Sequence, residues 1–140
     1  ADIDNAITTA KQLNPENPQN VGRITEAKVG EFVKDQKDIE GFGQQISRSN
    51  GSKAGDLDVS TADELIEVKA SFSSVKEGQF TKMLDSSVDD FFNPTNKNVI
   101  LYVDKPLSEA TTAQVNMINR IKNQGVTVVH SLEELGTILK

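Results

Sequence analysis

Residues 55–71, GDLDVSTADELIEVKAS, constrain the fold more than any other stretch of the chain. Two short runs, Leu57-Asp58-Val59 and Leu65-Ile66-Glu67-Val68, read as β-strands. The link between them, STADE, is too short for a crossover, so the two strands are neighbours in one sheet. In the first strand Asp56 and Asp58 share one face, while Leu57 and Val59 share the other. In the second, Leu65, Glu67, Lys69 and Ser71 share one face, and Ile66, Val68 and Ala70 the other. The expected sheet is apolar on one side and locally ionic on the other. Asp58, Glu67 and Lys69 then lie within side-chain reach of one another on its open face.

Two carboxylates held this close repel, and one of them takes up a proton unless a cation stands between them. A divalent ion removes the conflict. Mg²⁺ takes carboxylate and water oxygens and keeps several waters, which suits a pair such as Asp58 and Glu67; Mn²⁺ and Zn²⁺ are the alternatives. Such an ion acidifies a water and neutralises charge developing on a phosphate. Lys69, beside it, can orient the attacking water or stabilise the charged transition state. The set suits phosphodiester hydrolysis. Singly, Asp-x-Asp and Glu-x-Lys are ordinary solvent-facing patterns; in this order, on adjacent strands, they point to a site.

The rest of the chain supplies helices and further strands. DIDNAITTAKQL places Ile3, Ala6, Ile7, Ala10 and Leu13 at helical spacing, and the polar segment NPENPQN follows as a loop. VGRITEAKVGEFVKDQ predicts a second helix with Ile24, Ala27, Phe32 and Val33 on one face. GFGQQIS is a strand, separated from GDLDVS by the turn-rich SRSNGSKAG. KEGQFTKMLDSSVDDFF predicts one helix with Phe80, Met83 and Leu84 facing in. NVILYVD reads as a buried strand, SEATTAQVNMINRIKNQG as an amphipathic helix closed by Gly125, and VTVVHS as the last strand. A capping box, Ser131 with Glu134, opens a final helix in SLEELGTIL. The order α-α-β-β-β-α-β-α-β-α predicts an α/β (α+β) fold, a mixed β-sheet flanked by helices.

At 140 residues the chain has room for one domain with one core. Without Cys it has neither disulfide nor thiolate metal site, and its single His excludes a zinc site of several imidazoles. A net charge of −6 argues against a general nucleic-acid coating protein, though not against a local basic strip. GQQISRSNGSKAG supplies such a strip, with Arg48 and Lys53 and no acid. No apolar run approaches a membrane span. The first residues, ADIDNAITTA, lack the apolar region of a signal peptide and read equally as a cut from a longer chain.

GDLDVSTADELIEVKAS resembles the nuclease signature of the PD-(D/E)xK superfamily, in which a strand Asp is followed by Glu-x-Lys on the next strand. Asp58 fits the Asp, with Asp56 its rival, and Glu67-Val68-Lys69 fits Glu-x-Lys; the proline of the superfamily name is missing. GRITEAKVGEFV is similar to the helix that adds a further carboxylate in such enzymes, which implies Glu26 in that role and Glu31 as the alternative. The resemblance covers residues 22–103 as a nuclease core with a restriction-endonuclease-like fold, and leaves residues 1–20 as an N-terminal helix and loop. It implies catalytic roles for Glu26, Asp58, Glu67 and Lys69, with the metal on Asp58 and Glu67. Substrate contacts are expected from Arg48, Lys53, Ser71 and Lys82, and Gln79 stands beside Lys82 at the start of the following helix.

In size and pattern the chain is also similar to the C-terminal toxin domains of bacterial contact-dependent growth inhibition proteins, some of which cleave tRNA. That implies delivery at the cell surface as part of a larger protein, action in the cytoplasm of a target bacterium, and a cognate immunity protein as partner. The expected substrate is tRNA, with DNA as the alternative. A different class, a non-catalytic nucleic-acid or protein-binding module on the same fold, also stands. His130 reads as structural, the acidic run at 85–90 as a solvated face, and Phe91, Phe92 and Tyr102 as packing.

Overall fold

The computed structural model describes residues 2–47, 53–85, 87, 93 and 96–139, with backbone alone for residues 2, 44–47, 53–56 and 82. Its helices are α1 (Asp2–Lys11), α2 (Val21–Gln36), α3 (Thr81–Leu84), α4 (Thr112–Asn123) and α5 (Leu132–Ile138). Its strands are β1 (Ile39–Ser47), β2 (Lys53–Thr61), β3 (Glu64–Lys69), β4 (Asn98–Val103) and β5 (Thr127–Val129). The strands form one sheet in the order β1-β2-β3-β4-β5. β1, β2 and β3 run antiparallel as a meander; β3, β4 and β5 run parallel. The reversal follows from the connections. A two-residue link, Ala62-Asp63, is enough to join antiparallel β2 and β3, whereas the parallel strands need the longer excursions through α3 and α4. The single mixed α/β domain expected from the element order is the one observed. Among the described residues no helix is long and apolar enough to cross a membrane.

Both faces of the sheet are covered. α1, α2 and α5 close one side, with Ile7, Ala27, Val29, Val33 and Leu135 packed on Val59, Ile66, Val68, Ile100 and Tyr102. α3, α4 and the loop after β3 close the other, with Phe72, Phe80, Met83, Ile118 and Ile121 packed on Leu65, Val99, Leu101 and Val103. β4 is therefore apolar at nearly every position, the pattern of a central parallel strand. This corrects the expectation of one apolar and one open ionic face. Leu65, on the face assigned to Glu67 and Lys69, is core. On the face of Leu65, Glu67 and Lys69 the ionic character is confined to the C-terminal end of β3; at the other end, buried Glu64 pairs with Lys37 at 3.0 Å.

β2 departs from simple alternation as well. Val59 joins the α2 side, but Leu57 packs with Leu65 on the other. The β2–β3 ladder consists of Val59↔Ile66 and Ser60↔Leu65. One position further along β2, the Asp58 carboxylate accepts Val68 N–H at 2.7 Å, a bond that a ladder carbonyl would ordinarily make. The two strands splay at this point, and the gap opens toward the ends of β3 and β4.

Two helices differ from their expected form. The one predicted across residues 76–92 is a 3₁₀ turn, Glu77–Phe80, followed by the single turn of α3. Asp85 ends it: its Oδ1 accepts the N–H and the hydroxyl of Ser87, competing with the helical ladder. Buried Asn93 donates to the carbonyls of Met83 and Lys97, satisfying a helix end that the sequence pattern runs through. Phe80 and Met83 are buried as expected and Leu84 is half-buried; Phe91 and Phe92, and most of the acidic run, lie outside the described residues. On α2 the buried stripe is Thr25, Val29 and Val33 with Ala27 and Gly30, while Ile24 and Phe32 flank it half-buried.

Candidate active site

A cleft of about 1090 Å³ opens between the N-terminal end of α2 and the C-terminal ends of β3 and β4. Open α/β sheets bind ligands at this edge of their parallel strands. Its floor is Asp58, Glu67, Val68, Lys69 and Ala70; Val21, Gly22 and Glu26 of α2 form one wall. Ser71, Ser74, Lys76 and Gln79 from the loop after β3 form the other, and Asp104 and Lys105 beyond β4 close the end.

Glu26, Asp58, Glu67, Lys69 and Ser71, all singled out from sequence, thus meet in one cleft. Asp58 and Glu67 do not lie on an open face, as the alternation of the strands had suggested. They are 8% and 3% exposed, beneath the helix that carries Glu26. Between the rival positions the geometry chooses in one case: Glu31 pairs with Lys11 at 2.5 Å outside the cleft, whereas Glu26 lines it. Asp58 lines the cleft; the side chain of Asp56 is outside the described residues, although its backbone pairs with Gln45 in β1. Arg48 and the side chains of Lys53 and Lys82 also lie outside the described residues, so the structure does not place these three proposed contacts.

The electrostatics of the floor follow from crowding. Burial first, and then the Asp58 charge, raise Glu26 from the usual carboxylate range to about 7, with the Arg23 guanidinium opposing the rise. The same two causes raise Glu67 further, to about 10, against the pull of Lys69. Lys69 Nζ stands 3.9 Å from Glu67 Oε1, too far for a direct hydrogen bond and close enough for charge. Glu67 Oε2 is buried with no donor beside it, and the group gains a side-chain hydrogen bond to Asp58 only by holding a proton. A buried acceptor left in this state calls for a proton or a cation.

Two buried carboxylates with one orphaned oxygen fit a divalent ion bound through one or two protein carboxylates and completed by water or phosphate oxygens. Among the described residues no group of three or more His, Cys, Asp or Glu is spaced to enclose a metal by itself. An ion here would have to draw on Asp58 and Glu67 with water or substrate oxygens completing its shell.

Asp104 and Lys105 were not anticipated. Asp104 N–H donates to the carbonyl of Lys69 at 2.9 Å, continuing the β3–β4 ladder past Lys69↔Val103. Its carboxylate accepts from Tyr102 Oη at 2.8 Å and Lys28 Nζ at 2.7 Å, tying β4 to α2. The signal was the parallel register of β3 and β4, which carries the residues after NVILYV to the same edge as Lys69; strand order alone did not give it. Ser71 Oγ lies 2.9 Å from Ser73 Oγ and 3.4 Å from Ser74 Oγ, a hydroxyl cluster on the cleft wall. Gln79 lines the same wall. His130 does not line the cleft; its ring lies 5.8 Å from that of Phe72, in keeping with a structural role. No family model, curated protein or solved structure matches the chain.

Proposed function

We propose that this chain is a divalent-metal-dependent nuclease that hydrolyses phosphodiester bonds. The observation that carries the reading is the meeting of Glu26, Asp58, Glu67 and Lys69, from three separate elements, in one cleft at the edge of the parallel strands. Structural ion pairs rarely assemble three carboxylates and one lysine beside a large cleft while leaving a buried carboxylate oxygen unpartnered.

Asp58 and Glu67 would hold the ion, which supplies charge neutralisation at the phosphate and a more acidic water. The Val68 N–H bond fixes the Asp58 carboxylate, so this ligand is oriented before substrate arrives. Lys69 presents its ammonium at the mouth of the same floor, where it meets negative charge building on the phosphate. Glu26, on the wall of the cleft above this floor, can accept the proton of the attacking water. Lys76 and Lys105, both exposed along the cleft, offer charge to flanking phosphates.

The resemblance to growth-inhibition toxins extends this reading to a delivered toxin with a cognate immunity protein. The favoured substrate is tRNA, recognised by shape through a few phosphate and 2′-hydroxyl contacts. The described cations of the cleft are few, Lys69, Lys76 and Lys105, which suits a local grip on a folded RNA better than a long basic channel for duplex DNA. The test sets total tRNA against supercoiled plasmid at equal nucleotide concentration, each with Mg²⁺, Mn²⁺ or Zn²⁺. Discrete tRNA fragments with intact plasmid support the reading. Nicked or linear plasmid with whole tRNA makes the chain a DNA nuclease; binding without cutting makes it a non-catalytic module.

A further inference from the structure

Among the described cationic side chains of α2, Arg23 is the one that reaches Glu26. Arg23 sits one helical turn before Glu26, and its Nη1 donates to Glu26 Oε1 at 3.2 Å. Its guanidinium lies over the ring of Phe42 in β1, with Cζ 4.8 Å from the centroid. The residue after Phe42 is Gly43, in the left-handed region at φ +60°. A Cβ built there would come within 2.4 Å of Arg23 Nη1 and 3.1 Å of Cζ. Gly30 of α2 meets the same ring: a Cβ there would approach Phe42 Cδ1 and Cε1 at 2.9 Å. Gly43 is demanded by its left-handed backbone and leaves the guanidinium its place over the ring; Gly30, in the middle of a helix where glycine costs stability, leaves room for the ring itself.

We infer that Arg23 is a positioning residue for Glu26: the notch formed by Phe42 and Gly43 holds the guanidinium, and the guanidinium holds the carboxyl at the cleft wall. The inference rests on the nuclease reading above and adds the reason β1 carries the sequence Phe42-Gly43. A planar guanidinium suits the place because it stacks on a ring and donates in its own plane at once, which an ammonium cannot do. Without it, the Glu26 side chain keeps its helix position but gains rotamer freedom, and small misplacements of a reacting group are expensive in rate.

The experiment measures steady-state cutting of whichever nucleic acid the wild type cleaves, for Arg23→Ala, Gly43→Ala and the double variant, with folding followed by circular dichroism. Arg23→Ala is expected to lower kcat about tenfold and to leave KM within about twofold. Millimolar methylguanidinium is expected to restore part of kcat to Arg23→Ala, and nothing to Arg23→Ala/Glu26→Gln. Gly43→Ala strains a left-handed backbone and costs stability in either background, but lowers the kcat of the folded fraction only while Arg23 is present. Should Arg23→Ala fail to fold, Arg23→Lys takes its place in the same cycle, since it keeps the charge and loses the stack.

Unchanged kcat in a folded Arg23 variant overturns the inference. A rise in KM alone also overturns it, because Arg23 then touches substrate rather than Glu26. Independent, multiplicative effects of the two substitutions separate Gly43 from the guanidinium and overturn it likewise. A folded wild type that cuts neither tRNA nor plasmid with any of the three metals removes the nuclease reading, and this inference with it.

Discussion

At the scale of single residues, buried carboxylates decide the behaviour of the site. Asp58 has two duties, one toward the proposed ion and one toward Val68 N–H. Asp58→Ala therefore leaves a buried donor without its acceptor and is expected to cost about 1–3 kcal/mol of stability. Asp58→Asn keeps an acceptor and is the cleaner probe; it and Lys69→Ala are each expected to reduce cutting at least about a hundredfold. Glu67 behaves in the opposite sense. Its burial beside Asp58 raises its pKa, so folding above the usual carboxylate range requires it to hold a proton. Glu67→Gln removes that demand and is expected to stabilise the metal-free protein at pH 8 by about 1–3 kcal/mol while abolishing activity, as urea titration and cutting assays will show.

The same groups set a pH dependence. Burial beside Asp58 raises Glu26 and Glu67 above the ordinary carboxylate value, to about 7 and about 10. From the unfolded carboxylate pKa of 4.5 up to each raised value, the folded state binds more protons than the unfolded chain, and its stability falls as pH rises. Metal-free protein is expected to be most stable with respect to these groups below about pH 4.5, and to lose that contribution first as pH passes 7. Mg²⁺ or Mn²⁺ replaces the protons, so thermal melts should show a larger cation-induced rise in Tm at pH 8 than at pH 5. Equal rises at both values would place the ion elsewhere.

At the scale of elements, sequence periodicity carried most of the fold. The order of helices and strands, the STADE turn and the Gly125 cap all appear in the structure, Gly125 with φ +110°. Legibility failed where side chains act on backbone. Asp85 and Asn93 end α3, and neither effect has a hydrophobic period that could reveal it. Strand alternation found the face of Glu67 and Lys69 but not how much of that face α3 and α4 cover, because coverage depends on three-dimensional packing. The splay of β2 from β3 and the parallel register that brings Asp104 to the site are likewise properties of pairs of strands. Some elements are legible only in part. At α5 Ser131 accepts Glu134 N–H as expected, but Glu134 reaches back to His130 N–H, one residue earlier than a capping box requires. A complete box stands instead at α4, where Thr111 and Gln114 satisfy each other. Thr111→Ala is expected to cost about 1 kcal/mol in a urea titration and to leave the cutting rate unchanged, since Thr111 caps an exposed helix end and does not line the cleft.

At the scale of the whole molecule, a net charge of −6 surrounds a cleft that must accept a polyanion. Cutting should therefore weaken steeply with salt, as a handful of phosphate contacts release their counterions. An immunity protein would act most directly by covering the cleft between α2 and the loop after β3. Co-expression of the adjacent open reading frame is then expected to rescue growth of cells making this chain; a folded chain that is harmless alone contradicts the toxin reading. The central claim is narrower: the carboxylates of this cleft support metal-dependent phosphodiester cleavage. Its most direct measurement is the rate of tRNA cleavage against Mg²⁺ concentration for the wild type, Asp58→Asn and Glu67→Gln, each shown to be folded. Saturable, EDTA-sensitive cutting by the wild type, lost in both variants, is the predicted result. Undiminished cutting by either variant, or by the wild type in EDTA, would contradict it.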